Sequence, residues 1–189
     1  QLVPMWAGAF WPVTVTALGL ATLGWSMELG RRISPRVNQF LMWVFGPVAH
    51  PHEANHINSS TWYSSALLLL SLTQSPLVCA VALAVLGVGD PMAAVIGKRF
   101  GRIRFANGRS LEGSIAFVLS GALAAFVAAQ IFHPEVAVTS LVVIALGASL
   151  AGALTEQFVS WLDDNLSIPV VAGLVALLLS WSLGVPFLA

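Results

Sequence analysis

Charge is scarce in this sequence. Only 8% of its 189 residues are Asp, Glu, Lys or Arg, against about 25% in soluble globular domains, and 58% are hydrophobic. A water-soluble monomer is excluded. Neither sign is in excess, since eight Lys and Arg face eight Asp and Glu for a formal net charge of zero. Without a global basic field no nucleic-acid partner is expected. Cysteine is almost absent. The single Cys79 closes no internal disulfide and lies in an apolar run, where it reads as a small buried hydrophobe. No linker, low-complexity tract or convincing repeat divides the chain. It starts at Gln1 rather than Met, and its first apolar run lacks the basic start and cleavage pattern of a signal peptide. Residues before Gln1 are therefore expected.

What the sequence has in abundance is apolar runs. A bilayer core about 30 Å thick needs about 20 mostly apolar residues per helical crossing. Runs that approach this are Trp11 to Leu29, Ser60 to Leu72, Leu77 to Phe100, Ser114 to Phe132, Val136 to Glu156 and Ile168 to Leu188. The expected fold is all-α and polytopic, with about six transmembrane helices (range five to seven). Asn38 to Ala49 is apolar but short and is interrupted by Gly46-Pro47, which suits a re-entrant or interfacial half-helix.

The basic residues fall in two stretches, Arg31, Arg32 and Arg36 after the first run, and Lys98, Arg99, Arg102, Arg104 and Arg109 after the third. Basic residues in short loops stay cytoplasmic, so with six spans both stretches share the cytoplasmic face. The loop carrying Glu156, Asp163 and Asp164 joins them there. On the opposite face the connectors, Thr73-Gln74-Ser75-Pro76 and His133-Pro134-Glu135, are too small to build a site. Chemistry is expected where the three polar loops converge.

Asp90 anchors the functional reading. It stands eight residues before Lys98, roughly 12 Å along a helix, inside the membrane zone where an ionisable side chain is costly and usually serves a site. Asp followed by Pro91 is also a helix-start signature, so the helix is expected to break and restart here, with free backbone amides beside the carboxylate. Ala94, Gly97 and Gly101 then share a face that admits either a ligand or a neighbouring helix.

The segment Lys98 to Glu112 holds five basic residues and ends Asn107-Gly108-Arg109-Ser110-Leu111-Glu112-Gly113. Arginine forks, a lysine point charge, a serine and backbone amides suit a polyphosphate. The same basic residues also serve as a topology signal that touches anionic headgroups. The glycine spacing is not that of a Walker A loop. Further on, if the helix through Glu156 continues, Glu156, Ser160, Asp163 and Asp164 form a polar stripe opposite Phe158 and Trp161, prolonged into the membrane by Ala145, Ala148, Ser149 and Gly152. Glu156 and Asp163 would then lie about 10 Å apart. A Mg²⁺ or another divalent cation would more naturally use Asp90 with Asp163 or Asp164, keeping waters and phosphate oxygens as its other ligands. The plain alternative for the acids is a solvated, capped helix end.

A competing motif is His52-Glu53-Ala54-Asn55-His56. H-E-x-x-H on a helix places two imidazoles and a general base around zinc. Pro51 just before it and the polar Asn55, Asn58, Ser59 and Ser60 around it speak against that helix, and Asp163 or Asp164 would have to supply the third ligand.

Taken together, Gly89-Asp90-Pro91-Met92-Ala93-Ala94 with Gly97-Lys98-Arg99-Phe100-Gly101, then Arg109-Ser110-Leu111-Glu112-Gly113, then Glu156 with Asp163-Asp164-Asn165-Leu166-Ser167-Ile168-Pro169 resemble the CTP-dependent membrane lipid kinases. That family contains dolichol kinase, phytol kinase and the CTP-using diacylglycerol kinase, with a more distant likeness to phosphatidate cytidylyltransferase. The resemblance covers about the last two-thirds of the chain. It implies a nucleoside triphosphate donor, CTP favoured over ATP, a divalent metal such as Mg²⁺, and transfer of the γ-phosphate to the hydroxyl of a lipid alcohol such as a polyprenol, phytol or diacylglycerol.

On that resemblance Asp90, Asp163 and Asp164 carry catalysis and metal, while Lys98, Arg99, Arg102, Arg109, Ser110, Glu112 and Asn165 bind the nucleotide. Glu156 is a further candidate. So is Glu53, which with Asn58 to Tyr63 resembles the family's acid and Thr-containing helix start. Arg109 stands where the family commonly has Lys, and Arg31-Arg32-Ile33-Ser34-Pro35-Arg36 replaces a basic pair followed by His.

The expectation is therefore one transmembrane catalytic domain over residues 1–189, embedded in the bilayer with its site on the cytoplasmic face and its oligomeric state open. A cytidylyltransferase, an ion-coupled transporter built around Asp90 and a zinc membrane protease are the competing readings.

Overall fold

The structure, a computed structural model, describes residues 10–45 and 57–185. Among these residues it is all-helical apart from one isolated β-bridge. Helix α1 (Trp11–Ile33) opens on Pro12 and closes on Arg31 and Arg32, charges that complement the negative end of the helix dipole. Helix α2 (Pro35–Phe45) follows at once and buries no residue. Helix α3 (Ser59–Ser71) is capped by Asn58, whose side chain accepts from the Ser60 N–H at 2.8 Å.

The long helices come next. They are α4 (Pro76–Phe100), α5 (Leu111–Phe132), α6 (Val138–Phe158) and α7 (Asp164–Ser182). These four are long and apolar enough to cross a membrane, and the protein is a polytopic membrane protein. All six expected apolar elements are present as helices, but α1 is too polar and α3, at 13 residues, too short to meet the same criterion. Of the expected half-helix, residues 38–45 belong to α2; Gly46-Pro47 lies outside the described residues.

Two local expectations are corrected. The helix does not break at Asp90. It runs through a wide π turn, Val85–Gly89, and the Asp90 N–H still bonds to Leu86 O. Pro91 lacks an N–H and its ring presses on the carbonyl four residues back, and the wider turn absorbs both without ending the helix. Hence no set of free amides faces the Asp90 carboxylate. The helix through Glu156, in contrast, does end. Val159 is extended, Asp163 caps a new helix, and the Asp163 side chain accepts from the Asn165 N–H at 2.9 Å. The Asp-Asp-Asn run is a stronger start signal than a continuing helix, so Glu156, Ser160, Asp163 and Asp164 share no helical stripe.

Helices α4 to α7 pack around Phe117, which is fully buried. Its ring occupies a socket made by missing side chains, since a Cβ on Gly89 would sit 2.9 Å from the Phe117 ring and one on Gly152 3.1 Å from it. Ala148, Ser149 and Gly152, expected to prolong a polar stripe, are buried in this packing, with Ser149 Oγ donating to Val118 O at 3.0 Å. Cys79 is buried as expected. Large apolar side chains such as Leu119, Leu123, Ile131 and Trp181 point outward, the surface a lipid solvent favours.

Helix α1 pairs with α3 through an edge-on Trp25–Trp62 contact at 5.6 Å and a hydrogen bond from Trp25 Nε1 to Ser65 Oγ at 3.0 Å. At one end of the molecule Thr14 Oγ1 donates to Ser71 O at 3.3 Å and accepts from Gln74 Nε2 at 2.9 Å. At the other end lie the C-termini of α1, α4 and α6 and the N-termini of α3, α5 and α7.

Candidate active site

The segment between α4 and α5 is a small hairpin. Phe105 N–H donates to Arg109 O at 2.8 Å, Leu111 N–H to Ile103 O at 2.9 Å, and Arg104 bridges to Ser110. Gly108 makes the turn with φ of +83°, a conformation that suits glycine. Glu112 reaches back so that both of its oxygens lie 3.3 Å from the Ile103 N–H, and Ser110 Oγ caps α5 by accepting from Gly113 N–H at 3.1 Å. These two expected nucleotide contacts thus brace the hairpin and start the helix.

Asn107 locks the hairpin onto the end of α6. Its Nδ2 donates to Gln157 O at 2.8 Å, while its Oδ1 receives Gln157 Nε2 at 3.3 Å and the Arg109 N–H at 3.1 Å. Arg109 is thereby delivered between the end of α6 and the start of α7. Its Nη2 meets Asp164 Oδ2 at 2.7 Å and its Nε meets Glu156 Oε1 at 3.5 Å.

Asp90 and Asp163 complete the group, Asp90 in electrostatic range of Arg109, Glu156, Asp163 and Asp164, and Asp163 in range of Asp90 and Asp164. Asp90 feels the charges of Arg109 and Asp163, and Glu156 those of Arg109, Asp90 and Asp164. Two acids thus pair with one guanidinium and two more stand close by at the end of the bundle, an excess of acidic groups that could hold a cation. Asp163 Oδ1 also holds Asn165 Nδ2 at 2.9 Å. Among the described residues the Asp90 side chain makes no hydrogen bond or ion pair. Ser167 Oγ, one turn into α7, is buried with no hydrogen-bond partner.

The donors of the group are carboxylate oxygens, which fit a hard divalent cation. Among the described residues no three His, Cys, Asp or Glu side chains gather closely enough to hold a metal by themselves. A Mg²⁺ ion ordinarily uses one or two carboxylates and takes its remaining oxygens from water and phosphate.

Lys98, Arg99 and Arg102 are exposed at and just beyond the end of α4, on the rim of the group and outside its ion pairs. On the small-residue face of α4, Gly97 and Gly101 serve packing against α5 and its cap, while Ala94 is exposed. A Cβ on Gly113 would lie 2.9 Å from Ala93 O and 3.3 Å from Gly97 Cα, so the two backbones nearly touch and leave no space for a ligand there. Glu53, His52 and His56 lie outside the described residues.

One acid escapes a reading of local motifs. Glu28 is 4% exposed, receives Arg31 Nε at 2.8 Å and accepts from the Asn58 N–H at 2.8 Å. Its signal was an acid within an apolar run followed three residues later by Arg. The Asn107–Gln157 clasp had no such signal.

No family model and no solved structure matches the chain. Curated relatives do. A probable chloroplastic phytol kinase 2 of Glycine max is 28% identical over 161 residues, 78% of this chain and 54% of that protein. The phytol kinase of a Synechocystis species is 33% identical over 106 residues, 53% of this chain and 44% of that one. CTP-dependent diacylglycerol kinase 1 of Saccharomyces cerevisiae is 27% identical over 183 residues, 87% of this chain and 61% of that one. The chain spans about half the length of the curated relatives it matches. These matches, set beside the Asp90, Arg109 and Asp164 segments now seen in one place, support a relationship to the CTP-dependent lipid kinases, and the dolichol kinase of Saccharomyces cerevisiae is also 39% identical over 90 residues, 44% of this chain and 16% of that one.

Proposed function

We propose that the protein is a lipid-alcohol kinase. It would transfer the γ-phosphate of a nucleoside triphosphate, CTP in preference to ATP, to the hydroxyl of a membrane lipid alcohol, with Mg²⁺, on the cytoplasmic face. The observation that carries this reading is Arg109 gathered with Glu156 and Asp164, and with Asp90 and Asp163 in range, where the ends of α4, α6 and α7 meet. The relatives named as phytol and CTP-dependent diacylglycerol kinases support the substrate class.

Phosphoryl transfer asks for little covalent help from protein and much charge neutralisation and alignment. Asp90 and Asp163 are the carboxylates best placed to hold the cation, because Arg109 already engages Asp164 and Glu156. A divalent ion held there would supply neutralisation of the charge on the triphosphate oxygens. Lys98, Arg99 and Arg102 attract the triphosphate to the rim. The lipid hydroxyl oxygen forms the new bond to the γ-phosphorus, and the bond from that phosphorus to the β–γ bridging oxygen breaks. The nucleoside diphosphate leaves, and the hydroxyl proton passes to a carboxylate of the group. Arg109 holds the acids together so that their repulsion does not scatter them.

The deciding experiment uses purified protein in nanodiscs with Mg²⁺ and γ-labelled or α-labelled CTP, ATP or GTP. Phytol, a polyprenol and diacylglycerol serve as acceptors. Label from the γ position in a lipid monophosphate, with release of the nucleoside diphosphate, is expected. Pyrophosphate release with the α label on the lipid would instead make the protein a cytidylyltransferase, and absence of any transfer would overturn both.

A further inference from the structure

A cavity of about 780 Å³ opens between α1, α2 and α3, within the roughly 300–1,000 Å³ typical of small-molecule sites. Two of its walls are apolar, with Leu20, Leu23 and Met27 from α1 and Leu41, Met42 and Phe45 from α2, while the α3 wall adds the hydroxyls of Thr61, Tyr63 and Ser64. One end is polar, made by Glu28, Arg31, Asn58, Ser60 and Asn165. From Leu20 to Glu28 the groove follows α1 for roughly 12 Å. Asn165 is the link to the acid group, because the side chain that lines this polar end also donates to Asp163 Oδ1 at 2.9 Å.

We propose that this groove seats the apolar chain of the acceptor alcohol, its hydroxyl at the Glu28 end, next to Asn165 and the carboxylate group. The proposal deepens the lipid-kinase reading and rests on it. The chemistry selects a neutral lipid alcohol over the other molecules at hand. The apolar α1 and α2 walls offer nothing to a triphosphate, and along the α3 wall it would find hydroxyls but no cation. An anionic headgroup would meet Glu28, and Arg31 is already held by that carboxylate at 2.8 Å. A hydroxyl, by contrast, can donate to a carboxylate oxygen that still has a lone pair, since Glu28 Oε1 accepts from Asn58 N–H and Oε2 from Arg31 Nε. The apolar chain then replaces lipid contacts with protein contacts at little cost, while the hydroxyl is held at the level of the reacting groups. Isoprenoid alcohols and diacylglycerol share this chemistry.

The test uses the full chain in nanodiscs, with Leu23→Trp and Met42→Trp to fill the groove and Leu119→Trp as a lipid-facing control on α5. Because α2 buries no residue, the Met42 variant should fold even if the other does not, and size-exclusion elution reports on both. Expected is a rise of at least about tenfold in the KM for the alcohol with the nucleotide KM within about twofold of wild type, and no change for Leu119→Trp. Phytol and diacylglycerol are assayed separately to show which alcohol loses most. In parallel, an alkyl-diazirine alcohol should label peptides of α1 and α2. Labelling spread over the outward faces of α5 and α6, or groove variants that alter only the nucleotide KM or nothing, would overturn the proposal. The photolabelling reads the groove even if the wild-type protein phosphorylates no alcohol, which would sink the kinase reading separately.

Discussion

Arg109, from the hairpin between α4 and α5, and Asp164, at the first turn of α7, are joined at 2.7 Å across 55 residues of sequence. That bond, with the weaker one to Glu156, ties three of the long helices together at their polar end. It also sets the only cation within these ion pairs against two acids, with two more in range. Activity and local stability should therefore depend on Arg109 together.

Arg109→Ala is expected to lower phosphoryl transfer by at least about a hundredfold. Thermal stability should fall by only about 1 kcal/mol, since the pairs are partly open to water. Arg109→Lys should retain more activity than Ala, because it keeps the charge while losing the fork that reaches two acids. Paired kcat/KM and thermal-shift measurements check this, and equal loss in Ala and Lys would mean that geometry rather than charge matters.

Asp90→Asn should leave the protein folded and remove most of the turnover, a loss of several kcal/mol of transition-state stabilisation if this carboxylate holds the cation. The Asp90 side chain makes no hydrogen bond among the described residues, so the amide disturbs little packing. Wild-type kcat at saturating nucleotide and Mg²⁺ would remove Asp90 from the site.

Lys98→Ala, Arg99→Ala and Arg102→Ala are expected to raise the KM for the nucleotide, the effect shrinking as salt is added, because these cations are exposed and act through screened fields. Melting temperatures should stay at the wild-type value. If KM and its salt dependence are unchanged in all three, the segment is a topology signal alone.

Changing both His52 and His56 to Ala should leave substantial activity and no loss of bound zinc, since Mg²⁺ chemistry on oxygen ligands uses no imidazole. Glu53→Gln should be the more damaging change. Elemental analysis beside the kinase assay decides the matter, and stoichiometric zinc lost together with activity would turn the protein into a metalloenzyme of another kind.

Phe117→Ala tests the fold independently of the chemistry. Its ring is fully buried against Gly89 and Gly152, and the cavity left behind should cost about 3–5 kcal/mol. Denaturation in detergent micelles would show it, and a loss below about 1 kcal/mol would mean that the socket collapses to fill the void.

The sequence by itself determined the class of the molecule and the face on which its polar groups collect. Scarce charge, long apolar runs and two clusters of basic residues are signals carried by neighbouring residues, and each is legible without a partner. Asp90 was legible as a candidate for the same reason, as one charge in an apolar run. Tertiary structure decided what those groups touch. Whether Pro91 ends a helix or is absorbed in a π turn depends on the packing around Phe117 and Gly89, and whether Glu156 shares a helix with Asp163 depends on a cap that competes with continued winding. Arg109 finds Glu156 and Asp164, and Glu28 finds Asn58, only when distant helix ends are brought side by side. Helical periodicity records which residues share a face within one element, and it carries no record of which faces and ends meet.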